Sequence, residues 1–406
     1  MAKKKVADDG FYSLIAKQTK GKTLDVVGQV PYLINTGSLA LNYICSGKYI
    51  GGGIPGGRIT EVYGPPATSK SLLGFCCLGF CQKMDGIAVL LDCERASNAE
   101  FAENAGHVDS TKLIVYEPIS IEQVEAKIIA ATKAIREHYG KEKPILFVWD
   151  SIGVTPTERE WKELDLGENP TAAAVKAAGG NERPGERARA SGDLLRKINP
   201  FISDNNATLF VINQTRAKIG GYGNPETKAG GGEALKFFAS TSLRTSLQKT
   251  METKAGFPLG VNLGFANKKS RGCVPGLKTQ GVQLFYKHGI NPVGGIMSLL
   301  LADERVEVVG RSRYKVADAY SDGKDVTFTT SITTRNDLPL DILYQCPKLI
   351  DGKSEEEVKD FLNSFGDALN LAFDKSVVEK GAKAEDADDD ETSVVADLEK
   401  ELGLEE

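Results

Sequence analysis

The chain is 406 residues long, 41% hydrophobic and 26% charged, with 50 basic against 55 acidic side chains. This is the balance of a folded protein with room for two or three domains, so disorder throughout is excluded. No apolar run approaches the roughly 18 residues of a membrane span, and Met1-Ala2-Lys3-Lys4-Lys5 opens into a mixed segment rather than a signal-peptide core, so a cytoplasmic protein without a membrane partner is expected.

Phe11, Leu14 and Ile15 form a short amphipathic stretch ahead of the polar run Lys17 to Lys22, which predicts a small helical arm within residues 1–34. From Ile59 onward, strand-length apolar runs alternate with longer amphipathic ones. The predicted order is a strand at Ile59-Tyr63, a helix from Ser71, a strand at Ile87-Asp92, a helix near Asn98-Ala105, a strand at Leu113-Tyr116, a helix over Ile121-His138 and a strand at Ile145-Asp150. Such alternation implies a parallel sheet with helices on both faces. Cys76, Cys77 and Cys81 fall in the helix from Ser71. Adjacent cysteines on a helix point to different sides, and the only histidines (His107, His138, His288) are elsewhere, so small buried core residues are favoured over a zinc site. An odd total of seven cysteines fits free thiols in a reducing compartment.

After Asp150 comes a segment poor in large apolar side chains, Glu158 to Arg189, read as a long functional loop. A helix near Gly192-Ile198 and a strand at Thr208-Asn213 follow, then a second glycine-rich loop, Lys218 to Gly232, ahead of Ala234-Phe238. Strands at Val261-Ala266 and Gly281-Tyr286 close this core. The predicted division is an arm over 1–34, a core over 35–286 with loops at about 158–189 and 215–232, a smaller region over 287–384, and a tail over 385–406. That tail holds eleven acidic residues and one lysine, leaving 49 basic against 44 acidic residues elsewhere. An acidic tail on a mildly basic body is suited to compete with a polyanion for a basic groove; the plainer reading is a solvated tail that aids solubility.

Gly64-Pro65-Pro66-Ala67-Thr68-Ser69-Lys70-Ser71 follows a strand and opens a helix, the placement of a phosphate-binding loop. There, backbone N–H groups cradle phosphates, Lys70 reaches the outer ones and the Ser71 hydroxyl ligates magnesium. Ser69 stands where the pattern has a second glycine, so a position needing positive φ carries about 1 kcal/mol of strain. Ile145-Leu146-Phe147-Val148-Trp149-Asp150 is an apolar strand ending in an acid suited to hold magnesium through water. Leu90-Leu91-Asp92-Cys93-Glu94 repeats that pattern, so Asp92 or Glu94 is placed to orient a water against the γ-phosphate. Asn213-Gln214 ends the strand before the second loop, where a neutral amide can sense the γ-phosphate. Arg183, Arg187, Arg189, Lys218 and Lys228 lie among the glycines of the two loops, a composition suited to a phosphate backbone; solvated loop charges are the plainer reading.

Several stretches together resemble the RecA family of recombinases: Ile34-Asn35-Thr36-Gly37-Ser38-Leu39-Ala40-Leu41-Asn42, Gly52 to Gly64, and Asn224-Pro225-Glu226-Thr227 with Gly230 to Ser240. The resemblance covers roughly residues 34–300 and hardly touches about 315–375. It implies an α/β fold, a RecA-like P-loop ATPase core with a mostly parallel twisted sheet and flanking helices, an N-terminal helical arm for polymerisation and a smaller C-terminal α+β domain. It further implies that Lys70 and Ser71 bind ATP and Mg2+, that Glu94 is the catalytic base, that Asp150 is the Walker B acid and that Gln214 couples nucleotide state to DNA. Asn98 and Phe101 stand at the family's adenine-flanking positions. Arg189 and Arg196 match a pair on the helix after the first DNA loop, and Gly231 and Gly232 match backbone contacts of the second. Family members hydrolyse ATP between protomers with two lysines from the neighbour, and here Lys268, Lys269 and Arg271 compete for that role, with Lys268 and Lys269 preferred. Ser69 and the enlarged first loop are closer to phage-encoded relatives, which would place the protein in a bacterial host's cytoplasm.

The function implied is a DNA-dependent ATPase that forms helical filaments on single-stranded DNA and pairs it with homologous double-stranded DNA, with single-strand-binding and loader proteins as partners. Two alternatives remain at this level: a filament scaffold in which Ser69 has impaired nucleotide use, and a hexameric motor or repair ATPase of the same fold.

Overall fold

The computed structural model describes residues 11–21, 29–164, 185–216, 228–229, 234–329, 338–352, 354–363 and 377–381. After a helix α1 (Phe11–Thr19), a two-residue ladder joins β1 (Leu33–Ile34) to β2 (Ile54–Pro55) around helix α2 (Leu39–Ser46). The central sheet then builds from β3 (Ile59–Gly64), β4 (Ile87–Asp92), β5 (Ile114–Tyr116), β6 (Ile145–Asp150) and β7 (Ala207–Arg216), with a short β8 (Lys228–Ala229) folded back on β7. It continues through β9 (Thr241–Thr253), β10 (Pro258–Ser270), β11 (Lys278–Phe285) and β12 (Gly289–Ile290).

The order across the sheet is β12-β11-β10-β9-β3-β7-β6-β4-β5. All neighbours from β9 to β5 are parallel, and β9 to β12 are antiparallel. The sequence-read strands from Ile59 to Asn213 lie in the parallel half, as expected for runs buried on both faces, and those at Val261-Ala266 and Gly281-Tyr286 fall in the antiparallel β10 and β11. β9 is an addition. Its sequence, TSLRTSLQKTMET, has no apolar run, yet Thr241, Ser242, Thr245 and Ser246 are buried, with the Ser242 hydroxyl on Glu61 and the Thr245 hydroxyl on Thr68.

Helices α3 (Lys70–Lys83) and α4 (Ala99–Gly106) pack on one face of the sheet; α5 (Ile121–Tyr139), α7 (Glu186–Asp204) and α8 (Ala234–Phe238) pack on the other. α5 shows why these segments are helical. Ser120 Oγ accepts from Gln123 N at 3.2 Å, Gln123 Oε1 accepts from Ile119 N at 3.1 Å, and Ile121, Val124, Ile128 and Ile135 form one buried stripe. α3 and α4 approach closely: a Cβ added at Gly79 would lie 2.2 Å from the Gly106 carbonyl oxygen. The Cys76, Cys77 and Cys81 side chains are buried in this packing.

Two expected boundaries move. A helix α6 (Glu158–Leu164) replaces the start of the first loop, and α7 begins at Glu186 rather than near Gly192, so Arg187 and Arg189 are helical. The ion pairs Arg159–Glu186 (3.1 Å) and Arg187–Glu160 (2.6 Å) join the two helices and bring the ends of the intervening segment together.

Beyond β12 come α9 (Ile296–Ala302), a three-stranded antiparallel sheet of β13 (Val306–Gly310), β14 (Arg313–Val316) and β15 (Thr327–Thr329), and helices α10 (Leu340–Gln345) and α11 (Glu355–Asn363). Their apolar residues, Leu299, Tyr314, Leu343 and Leu362 among them, continue the core that begins at Ile34. A last strand, β16 (Val377–Gly381), pairs with the far half of β9. No described helix is long and apolar enough to cross a membrane.

Candidate nucleotide site and its neighbours

The carboxyl ends of four adjacent parallel strands converge. Gly64 of β3 is the register partner of Gln214 in β7, and Asp92 of β4 is the partner of Asp150 in β6. Ligands of open parallel sheets bind along this edge. Gly64 must be glycine there, since an added Cβ would lie 2.2 Å from Thr245 Oγ1 of β9.

The loop from Gly64 to Ser71 turns through two non-glycine residues in the left-handed region, Ala67 at φ +61° and Ser69 at φ +49°. The glycine-like geometry expected at Ser69 is present, and Ala67 shares the burden. Ser69 is the residue before α3 and makes no side-chain cap hydrogen bond, so a 14-residue helix presents its N-terminus at the loop without a side-chain cap of its own. Lys70 is 7% exposed, and its Nζ donates to Pro65 O at 2.5 Å, Thr68 Oγ1 at 3.1 Å and Gly64 O at 3.2 Å. Burial lowers the ammonium pKa to about 8, partly offset by the charges of Asp150 and Glu94. Thr68 Oγ1 also meets Thr245 Oγ1 at 2.8 Å, tying the loop to β9.

Asp150 is raised to about 6, first by burial, then by Glu94 and Asp92; the Ser71 hydroxyl, hydrogen-bonded to it, and Lys70 pull the other way. A hydroxyl and a carboxylate in contact beside a lysine are hard oxygen donors of the kind Mg2+ takes, so the residues fit that ion.

The structure separates the two acids that the strand-then-acid pattern alone left open at the end of β4. Asp92 is buried, with Oδ1 accepting from Arg95 N at 2.7 Å and Oδ2 from Ser97 N at 3.1 Å, so it shapes the turn. Glu94 sits exposed on that turn. Its Oε1 accepts from Ser151 Oγ at 2.7 Å and from Gln214 Nε2 at 3.3 Å. Sequence reasoning missed Ser151; its only signal was its place directly after the β6 acid.

Asn98 is the N-cap of α4, its Oδ1 accepting from Phe101 N at 3.1 Å, and the Phe101 ring packs edge-on against Phe75 at 6.1 Å. Lys268 is the extra residue of a bulge in β10 and is exposed. Lys269 is engaged within the chain: its Nζ donates to the carbonyls of Lys236 (2.6 Å) and Phe237 (2.8 Å) at the end of α8, where Arg271 joins at 3.3 Å. Arg189 and Arg196 are exposed on α7, Arg196 beside Asp193 at 2.9 Å. The Lys228 backbone pairs with Arg216. Arg183, Lys218, Gly231, Gly232 and the acidic tail lie outside the described residues.

A parallel sheet with a lysine-bearing loop, a hydroxyl–carboxylate pair and a polarised glutamate along one edge defines a P-loop nucleotide-binding α/β protein. The profile of the RecA N-terminal domain matches residues 17–136 and 170–291. The chain is 32% identical over 262 residues to Protein RecA of Mycoplasma mycoides subsp. mycoides SC, covering 64% of this chain and 68% of that one. It is 31% identical over 276 residues to Protein RecA of Chloroherpeton thalassium, covering 68% and 69%. It is 29% identical over 348 residues to the mitochondrial DNA repair protein recA homolog of Dictyostelium discoideum, covering 84% and 70%. The chain belongs to the RecA family of DNA recombination and repair proteins.

Proposed function

We propose that this protein is a DNA-dependent ATPase that polymerises on single-stranded DNA and promotes pairing and strand exchange with a homologous duplex. The observation that carries the reading is Glu94 Oε1, shared by Ser151 and Gln214 at the sheet edge that also bears Lys70 and Asp150. Membership of the RecA family supports ATP and magnesium as the nucleotide and ion and DNA as the polymer.

In this reading Lys70 and the α3 N-terminus neutralise the phosphates, and Ser71 and Asp150 would hold Mg2+, which would supply charge neutralisation at the phosphates. Glu94 accepts a proton from the attacking water, and Ser151 fixes its carboxylate. Gln214 senses that chemistry and leads through β7 into the second DNA loop. Arg189 and Arg196 face the DNA backbone from α7, whereas Arg187 closes the base of the first loop with Glu160. Exposed Lys268 is better placed than Lys269 to reach a neighbouring protomer. Asn98 and Phe101 flank the base; the arm over 1–34 and the region over 287–384 serve polymerisation and duplex capture. Ser69 adopts the shape the loop requires, which supports a working site of the kind found in phage-encoded relatives.

The test is steady-state ATP hydrolysis at low salt with and without long single-stranded DNA, beside Lys70→Ala. Stimulation by DNA that the variant abolishes supports the reading; hydrolysis unchanged in Lys70→Ala removes this loop from the mechanism.

A further inference from the structure

Glu61 is the third residue of β3 and is 1% exposed, a buried acid that the hydrolytic reading leaves without a task. Its Oε2 accepts from Ser242 Oγ at 2.7 Å and its Oε1 from Asn213 Nδ2 at 3.1 Å, so one carboxylate joins β3, β9 and β7. Burial pushes its carboxyl up; those two hydrogen bonds and the positive charges of Lys236 and Lys269 counter this.

The register explains the grouping. Glu61 is the partner of Val211 on one side and Ser242 on the other, and Ser242 is the partner of Lys269, so the four form a row across one face of the sheet. Val211 packs there with Leu235 and Ala239, at the two ends of α8. Successive residues of a strand point to opposite faces, so Asn213 lies on the Glu61 side while Gln214 reaches Glu94 on the other. Lys269 in turn grips the last carbonyls of α8. The carboxyl-terminal part of β7, through Asn213, and α8, through Lys269, are therefore both tied to the Glu61 face of the sheet.

We propose that Glu61 is a positioning residue for ATP hydrolysis: from the far face of the sheet it holds Asn213, and through the backbone of β7 it fixes Gln214 against Glu94. This rests on the proposed reading of Glu94 and Gln214. Breaking the grip leaves Lys70, Ser71 and the loop around them in place, so turnover suffers rather than nucleotide affinity.

The experiment is ATP hydrolysis as a function of ATP concentration, with saturating single-stranded DNA, for the wild type, Glu61→Ala, Asn213→Ala, the double variant and Glu61→Gln. In Glu61→Ala and Asn213→Ala we expect kcat to fall about tenfold or more, as for a misplaced catalytic group, while KM for ATP moves no more than about twofold. The double variant should be no worse than the poorer single one within about twofold, because both cut the same link. Glu61→Gln retains an acceptor for Asn213 and a donor for Ser242 Oγ, so it should recover to within about threefold of the wild type. Additive losses, a KM that rises in step with falling kcat, or Glu61→Gln as poor as Glu61→Ala would overturn the proposal. Absence of DNA-stimulated hydrolysis in the wild type would instead remove the reading on which it stands, and the proposal with it.

Discussion

Gln214 Nε2 lies 3.3 Å from Glu94 Oε1, the oxygen that Ser151 Oγ approaches to 2.7 Å. Two donors on one carboxylate oxygen fix its orientation, and the proposed reading assigns proton acceptance to the other oxygen. The contact spans 120 residues of sequence and joins the turn after β4 to the end of β7. In the proposed reading, this amide would lose a partner when Glu94 turns toward the attacking water, which would make it a reporter of nucleotide state.

Glu94→Gln removes the acceptor while keeping the side chain's shape. Hydrolysis should fall by about 10²-fold or more, the usual worth of a general base, with nucleotide binding retained. Gln214→Ala should keep ATP binding and lose most of the stimulation by DNA. Steady-state hydrolysis, paired with binding of a fluorescent ATP analogue, checks both; parallel loss of binding would assign these residues to the shape of the pocket.

The pH dependence follows from two shifted groups. Lys70 titrates at about 8, so its charge is present below that pH and lost above it. Asp150 titrates at about 6, so its carboxylate is present above that pH and neutralised below it. Affinity for magnesium–ATP should therefore be greatest between about 6 and 8 and weaken on both sides. Bound phosphates favour the ammonium and bound magnesium favours the carboxylate. Binding should consequently take up protons near pH 8 and release them near pH 6. Calorimetry in two buffers of different ionisation enthalpy reads this directly, and zero proton exchange at both pH values would contradict it.

Much of this site was legible in the sequence because its residues sit at the ends of apolar runs bounded by acids or glycines. What escaped has a common cause. β9 buries Ser242 and Thr245, whose hydroxyls meet Glu61 and Thr68, so it lacks the apolar signature of its neighbours. Glu186 to Ala190 lack large apolar side chains and read as loop, but the ion pairs to α6 hold them in helix. Both decisions depend on partners distant in sequence. The strand-then-acid pattern by itself also left Asp92 and Glu94 open; the family resemblance chose Glu94, and the backbone N–H groups of Arg95 and Ser97 show that Asp92 is the occupied acid.

Ser69 at φ +49° is a serine in a glycine conformation. The left-handed region costs a non-glycine residue about 1–2 kcal/mol, while glycine loses about 0.5–1 kcal/mol more chain entropy on folding. Ser69→Gly should thus stabilise the protein by up to about 1 kcal/mol, and ATP turnover should be preserved because the loop shape does not change. Denaturant unfolding decides the first part; a destabilised variant would mean that the Ser69 side chain contributes something beyond backbone shape.

Cations on the helices proposed to face DNA should separate by their partners. Arg187 is held by Glu160 at 2.6 Å, whereas Arg189, two residues on and on a different side of α7, is exposed. Arg189→Ala should reduce the slope of log affinity for single-stranded DNA against log salt by about 0.7, the value for one phosphate contact on a single strand. Arg187→Ala should leave that slope unchanged and instead loosen the base of the loop, seen as faster proteolysis between α6 and α7. Equal slope changes would place both guanidinium groups on phosphate.

Arg305 secures the region after β12 to the core. It is 8% exposed, its Nε donates to Asp303 at 2.6 Å, and its Nη1 donates to Asp351 at 2.8 Å and to the Leu349 carbonyl at 2.9 Å. Its guanidinium lies 5.0 Å from the Tyr49 ring centre, 5.1 Å from Tyr320 and 5.8 Å from Tyr43. Asp351 also accepts from Tyr49 N at 3.0 Å, so α2 and the residues around Ile350 meet at one cation. Removing one member of such a cluster leaves two carboxylates in a half-buried site without their counter-charge. Arg305→Ala should cost about 3 kcal/mol, as for breaking a buried ion pair, and Arg305→Lys should recover only part of this because a lysine cannot serve both acids and the carbonyl in one plane. Denaturant unfolding measures the loss, and hydrolysis per folded molecule should stay at the wild-type level because none of these groups touches the nucleotide site. A loss of turnover without a loss of stability would show instead that this cluster acts on the sheet edge through α2.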